Sequence, residues 1–460
     1  MPTSTPPGFT RLRHLADSIP PRVDAPRVMP PPTRRSAADA LRPFIVRLLD
    51  GQVPLRFEFW DGSSIEPTRI PPAIAAVVRV HSVDAVRRIL WAPGEVGLAR
   101  AFVSGDIEID GDIFATLRAL AETSVKDLWR LGTSALPAAL NAALRLGVLR
   151  PPPPPPAEEA RPRGRLHSPE RDAQAVSHHY DVGNAFYSLV LGSSMTYSCA
   201  RFAHPESGLE EAQRAKHELI CRKLGLDRTG DARLLDVGCG WGSMALHAAA
   251  HHGARVVGVT LSAAQQQDAR RRVEEAGLSD RIEIRLQDYR DLAGERFDAI
   301  SSIGMFEHVG ASQMERYFST LRAMLVPTGR LLNHAISSPG GSTITPRSFI
   351  GRYVFPDGEL QDVGQVLLAM QRAGFEIRDV ESLREHYSRT LHAWVANLES
   401  RWLEAVSLVG AARARVWRLY MAGSAVGFDD GGLGIHQVLG VVPDADGSSG
   451  MPFTRDAWVD

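Results

Sequence analysis

Cysteine is scarce. The 460 residues contain three, Cys199, Cys221 and Cys239, too few and too scattered for a disulfide framework or a cysteine-rich zinc site, so a reducing cytoplasm is the expected compartment. No stretch approaches the roughly 20 consecutive apolar residues of a membrane-crossing helix, and any membrane contact is therefore expected to be peripheral. Charge of either sign is not in excess: 52 Lys and Arg face 53 Asp and Glu, which argues against a general nucleic-acid binder. The stretch Met1 to Arg35 is rich in proline and arginine and has no apolar segment of the kind a signal peptide needs. What is present is 44% hydrophobic residues in a chain long enough for two or three domains with their own cores.

Residues 1–36 read as a disordered arm. Apolar residues then recur at helical spacing from Ala37 to Asp50, and strand-like runs at Leu55–Trp60 and Ala76–Val80 bracket an Asp61-Gly62 turn. With the helical stretch Asp84–Ala92 and the segments that follow it, residues 37–150 make a compact α+β domain. Thr123–Val148 reads as one or two helices carrying Lys126, Arg130 and Arg145. Six prolines at 151–156 favour an extended spacer, so residues 151–160 are read as a linker. Beyond it, residues 161–445 alternate strands and helices in the manner of a doubly wound, mainly parallel sheet, and 446–460 form a tail. Basic Arg161, Arg163, Arg165 and His167 precede the paired His178-His179, which have no further ligands at metal spacing, so no metal is expected.

The chain is organised around Leu234-Leu235-Asp236-Val237-Gly238-Cys239-Gly240-Trp241-Gly242. A short apolar run, a glycine turn and a following helix make the first unit of an open α/β nucleotide site. The spacing Gly-x-Gly-x-Gly, with Asp236 ahead of it, differs from the Gly-x-Gly-x-x-Gly of dinucleotide sites and fits S-adenosylmethionine better than NAD. The second strand lacks the terminal acid that takes ribose hydroxyls in many such sheets, leaving Thr260, Ser262 and Gln265 to substitute. Asp288 and Tyr289 follow the third strand, where an acid can meet the adenine amino group and a ring can cover it.

The nonapeptide resembles the first motif of class I methyltransferases. With Met195-Thr196-Tyr197-Ser198-Cys199-Ala200, Gly304-Met305-Phe306-Glu307-His308, Leu332-Asn333-His334-Ala335-Ile336 and Tyr353-Val354-Phe355-Pro356-Asp357-Gly358, it is similar to the cyclopropane-fatty-acyl-phospholipid synthase family, from about residue 165 to 443. The N-terminal domain also resembles the extra domain of the longer members. Trp91–Gly105, Leu331–Ile336 and His386–Trp394 look most like the branch that makes 10-methylene fatty acids, precursors of tuberculostearic acid.

The resemblance implies an S-adenosylmethionine-dependent enzyme acting on the cis double bond of an unsaturated phospholipid. It implies Tyr197 and Ser198 beside the cofactor with Asp236, Gly238, Gly240 and Gly242. It also implies that Cys199, Glu307, His334, Ile336 and Tyr387 hold a bicarbonate ion, and that Phe306, Tyr353 and Phe355 line an acyl tunnel. Family members often carry cysteine where this chain has Ser424, so a thiol nucleophile is not available there. An anionic membrane surface, bound through the N-terminal domain at the inner face of the membrane, a homodimer and a separate reductase are the expected partners. The competing expectations are a cyclopropane product, methylation of a small molecule or protein, and a silent lipid-binding protein.

Overall fold

The computed structural model describes residues 36–49, 51–68, 76–122, 136–160, 182–228, 230–345, 348–356 and 358–458. The N-terminal arm before Ser36, residues 123–135, the basic stretch at Arg161–His167, the histidine pair and Asp357 lie outside them. Two compact units divide the chain, residues 1–154 with 399–407, and residues 155–398 with 408–460; the division falls inside the proline run.

The first unit opens with α1 (Ala37–Leu48), capped by the Ser36 side chain, which accepts from the Asp39 N–H. Four strands, β1 (Arg56–Phe59), β2 (Ser64–Ile65), β3 (Ala76–Val80) and β4 (Ile107–Gly111), form a sheet in the order β2-β1-β3-β4. The expected Asp61-Gly62 turn joins β1 to its antiparallel partner β2, with Gly62 at φ +81°, a conformation costly for any side chain. Leu41, Ile45, Phe59, Ile65, Val80 and Val86 bury together beneath it. The helix α5 (Leu136–Leu146) contributes Ala142 and Ala143 to that core, while Leu140 and Leu144, one turn apart, stay more than half exposed (52% and 61%).

The second unit is built on seven strands in the order β12-β13-β9-β8-β5-β6-β7. These are β5 (Arg233–Val237), β6 (Arg255–Thr260), β7 (Ile282–Leu286), β8 (Phe297–Ile303), β9 (Leu325–Ser337), β12 (Glu376–Ser382) and β13 (Gly434–Val441), and only β13 is reversed against its neighbours. Central strands read as unbroken apolar runs because helices cover both faces. Alternate residues serve opposite faces: Leu234 and Val256 join Leu219, Ile220, Met244 and Ala248 on one side, while Leu235 and Val257 join Phe297, Phe318, Leu321 and Met370 on the other. The C-terminal stretch packs here too, since Trp458 is buried in the first of these clusters and Arg455 pairs with Asp379 at 2.9 Å. From β5 the chain runs outward through β6 and β7, then returns to β8 on the opposite side of β5. That reversal opens a crevice at the carboxyl ends of β5 and β8, where open α/β sheets bind their ligands.

Candidate active site

A cavity of about 1290 Å³ occupies that crevice. Gly238 and Gly240 form its floor at φ +74° and +54°; a Cβ on Gly240 would project into open space, the room a cofactor's backbone contact requires. Gly242 serves differently. It precedes the helix Ser243–His252, and a Cβ there would press on Ala269 at 3.3 Å, so its smallness permits helix packing. Asp236 is buried, with one oxygen accepting from Ser301 Oγ at 2.7 Å and the other lacking a hydrogen-bond partner among the described residues. Burial pushes its acid up to about 6.

At the end of β6, Thr260 Oγ1 donates to Gln265 Oε1 at 2.8 Å, and both face the cavity. Ser262 does not; its hydroxyl caps the helix Ala263–Glu275 by accepting from the Gln265 N–H at 3.3 Å. Asp288 and Tyr289 line the opposite wall, Asp288 held by Arg290 at 2.5 Å. Across from them stands the loop 194–198, whose Met195 has φ +52°, uncommon for a side-chain-bearing residue. Arg272 ties this loop to the glycine turn, donating to the carbonyls of Trp241 (2.6 Å) and Ser194 (3.1 Å). Tyr197 donates to Tyr420 Oη at 3.1 Å.

Sequence reasoning missed Lys216. It lines the cavity from inside the helix α7 (Leu209–Leu224), is fully buried, and donates to Ser198 Oγ at 2.8 Å; burial pulls its ammonium down to about 7, opposed by Cys199 and Asp236. A signal existed. Ala212, Lys216, Leu219 and Lys223 share one helical face, so two lysines interrupt an apolar stripe, a placement that needs partners.

The five residues expected around the anion come from separate segments, linked by sheet register and by hydrogen bonds. His334 lies opposite Gln437, and Gln437 opposite Glu381, across β9, β13 and β12. Two residues on, Ile336 pairs with Ile435, whose carbonyl accepts from the N–H of Leu383. The Leu383 carbonyl in turn accepts from the Tyr387 N–H at 3.0 Å and the Cys199 thiol at 3.7 Å. Glu307, in the short turn after β8, accepts the Ile336 N–H at 2.7 Å through Oε1, so Ile336 orients that carboxyl. Its Oε2 is buried without a partner among the described residues, and burial pushes the acid up to about 7.

His334 is held as a donor. Lys223 Nζ donates to Gln437 Oε1 at 3.0 Å, which turns the amide nitrogen of Gln437 toward His334 Nδ1 at 3.2 Å. An amide nitrogen only donates, so Nδ1 accepts and the ring proton sits on Nε2, which is buried and without a partner among the described residues. Burial, with Lys216 and Lys223 near, holds the ring far below its ordinary pKa and keeps it neutral. An N–H and a carboxyl oxygen, both buried and without a partner among the described residues, are the atom types that a small ion with acceptor oxygens and a hydroxyl would pair with.

Of the three aromatics expected in a tunnel, Phe306 packs in the core, stacked on Phe318 at 5.4 Å. Tyr353 is buried against Phe349, with Glu159 at 3.4 Å from its hydroxyl. Phe355 meets Tyr420 edge-on at 5.7 Å, next to cavity-lining Pro356.

This sheet and glycine-turn cavity define a class I S-adenosylmethionine-dependent methyltransferase. A solved structure of the mycolic acid cyclopropane synthase CmaA1 with SAH and CTAB superposes on 58% of this chain and 98% of its own, with TM-score 0.55 and 31% identity. The profile of the mycolic acid cyclopropane synthetase family matches residues 167–438. The chain belongs to that family of fatty acid methyltransferases. A probable fatty acid methyltransferase of Mycobacterium tuberculosis is 43% identical over 441 residues, 92% of this chain and 99% of the relative. The tuberculostearic acid methyltransferase UfaA1 of the same organism is 32% identical over 416 residues, 87% of this chain and 91% of the relative.

Proposed function

We propose that the enzyme transfers a methyl carbon from S-adenosylmethionine to the cis double bond of an oleoyl phospholipid and leaves a 10-methylene acyl chain on that phospholipid. The observation that carries this reading is that two buried atoms, Glu307 Oε2 and His334 Nε2, lack a partner among the described residues, His334 on β9 and Glu307 bonded to the same strand at Ile336. Simple O- or N-methylation needs no such pocket. An alkene is a weak nucleophile, and methyl transfer to C10 leaves a cation at C9 that water would quench, so the site must be dry and must remove a proton. Bicarbonate, when bound, supplies that base. His334 and Tyr387 would grip it and Glu307 would hold its hydroxyl, with the Cys199 thiol, kept protonated by burial, closing the floor. Phe355 and Tyr353 would offer ring faces along the acyl path.

Hydride shift from C10 to C9 moves the cation beside the new methyl, and loss of a methyl proton then gives the exocyclic alkene. Without the shift, the same loss closes a cyclopropane. The branch-like stretches and the likeness to the tuberculostearic acid methyltransferase favour the former; the family profile and the cyclopropane synthase structure support the latter as the second reading.

The first unit would serve as a membrane-docking domain, with Leu140, Leu144 and Trp91 exposed for insertion and Arg145 beside them for anionic headgroups at the inner face of the membrane. A homodimer and a separate reductase for the methylene product complete the proposal. Radiolabelled methyl transfer to oleoyl phospholipid vesicles tests it: label recovered in the fatty acids after saponification supports the reading, and label confined to headgroup or protein overturns it.

A further inference from the structure

A cluster of donors, three of them buried, lies outside the site described above. Glu218 and Cys221 stand one turn apart on α7, and His247 and His252 on the next helix, Ser243–His252. The donor atoms of Cys221, His247 and His252 all lie within 4.8 Å of one another, and their side chains are buried. Glu218 Oε2 faces both imidazoles, at 3.1 Å from His247 Nε2 and 3.0 Å from His252 Nε2, so two ring nitrogens converge on one carboxylate oxygen. The other nitrogen of His252, Nδ1, contacts Asp227. None of these residues lines the cofactor cavity.

A neutral imidazole carries one N–H and cannot donate to two carboxylates. A cation at Nε2, with Nδ1–H donated to Asp227, satisfies both sides of the ring, the arrangement by which carboxylates orient metal-bound histidines. We propose that Cys221, His247, His252 and Glu218 bind one zinc ion. Two imidazoles, a thiolate and a carboxylate make a closed four-ligand set of the kind zinc takes in structural sites. Bonds of about 2.0–2.3 Å to a tetrahedral ion require donors roughly 3.3–3.8 Å apart, so Cys221, His247 and His252 draw in while Glu218 Oε2 moves out from its 3.0–3.1 Å hydrogen-bond contacts, an adjustment of side-chain ends. Binding exchanges the Cys221 thiol proton for the metal: Zn²⁺ and Cys–SH give the zinc thiolate and a released proton. The thiolate and carboxylate then balance the ion's charge. Glu218, about a third exposed, gives the entry path. The ion would staple α7, which carries Lys216, to the helix that starts at the glycine turn.

Sequence spacing hides this group because its halves lie on different helices. The test uses tag-free, full-length protein and reads metal content by plasma mass spectrometry and, after cobalt(II) loading, the visible and near-ultraviolet spectrum. Expected are on the order of one zinc per chain, a sulfur-to-cobalt charge-transfer band, and a melting temperature lowered by a strong chelator and restored by zinc. Cys221→Ser should lose the charge-transfer band, and Glu218→Gln, at a partly exposed position that tolerates the change, should weaken zinc binding at least tenfold. The proposal is overturned if wild-type protein takes up neither zinc nor cobalt and melts unchanged with chelator. It is equally overturned if both variants bind metal as the wild type does.

Discussion

The side-chain amide of Gln437 donates to His334 Nδ1 at 3.2 Å and thereby fixes which nitrogen of that histidine carries the proton. Its own orientation is set by Lys223, whose ammonium is held between Asp379 (2.8 Å) and Glu381 (2.5 Å). Replacing Gln437 by Leu leaves the ring free to hold its proton on either nitrogen. Partners of this kind cost roughly 10- to 100-fold when removed, and the loss is expected in kcat with KM for S-adenosylmethionine little changed. Gln437→Glu, which can accept but not donate when ionised, should fare no better. Steady-state kinetics on oleoyl vesicles gives both constants.

Glu307→Gln and His334→Ala should abolish turnover while cofactor affinity, read by calorimetry, stays within about twofold, because neither side chain lines the cofactor cavity. Equal loss of cofactor binding would contradict their assignment to proton removal.

Glu307 also makes a pH prediction. Its acid rises from 4.5 in the unfolded chain to about 7 when buried. Below pH 4.5 both states hold the proton and the group costs nothing; between 4.5 and 7 only the folded state keeps it, so stability falls as pH rises, reaching a penalty of roughly 3 kcal/mol above 7. Glu307→Gln removes that penalty. The variant should melt above the wild type at pH 8 and converge with it near pH 4.5; a difference independent of pH would contradict the burial argument.

Much of this architecture was legible in the chain. The helix Leu209–Leu224 and the strand Phe297–Ile303 fall where periodicity puts them, since each carries an unbroken local pattern. Register was not legible. Nothing local says that Gln437 sits opposite His334, or that the Ile336 N–H is taken by Glu307, because those pairings join segments 103 and 29 residues apart. Ser262 was expected at the cofactor, but at the first position before a helix its hydroxyl satisfies a backbone N–H. Phe306, read as tunnel, stacks in the core, where an aromatic next to a site residue is as readily placed.

Lys216→Met tests the buried ammonium. Removing it takes away the donor to Ser198 and the positive charge beside Asp236, and S-adenosylmethionine affinity should fall about tenfold. The unliganded protein should melt no lower, because the desolvation cost of a buried cation disappears.

Leu140→Ser with Leu144→Ser should leave methyl transfer to detergent-dispersed substrate unchanged and reduce pelleting with anionic vesicles severalfold. Wild-type binding should weaken as salt rises. Undiminished pelleting of the double variant would remove this face from the docking surface.

The most direct measurement is of the product. Purified protein incubated with dioleoyl phospholipid, S-adenosylmethionine and bicarbonate, followed by proton NMR of the released fatty acids, should show new vinylidene protons of a 10-methylene chain, formed more slowly when bicarbonate is stripped from the buffer. Cyclopropyl protons in their place would contradict the product assigned here, and acyl chains left unaltered under turnover would contradict the account of alkene methylation as a whole.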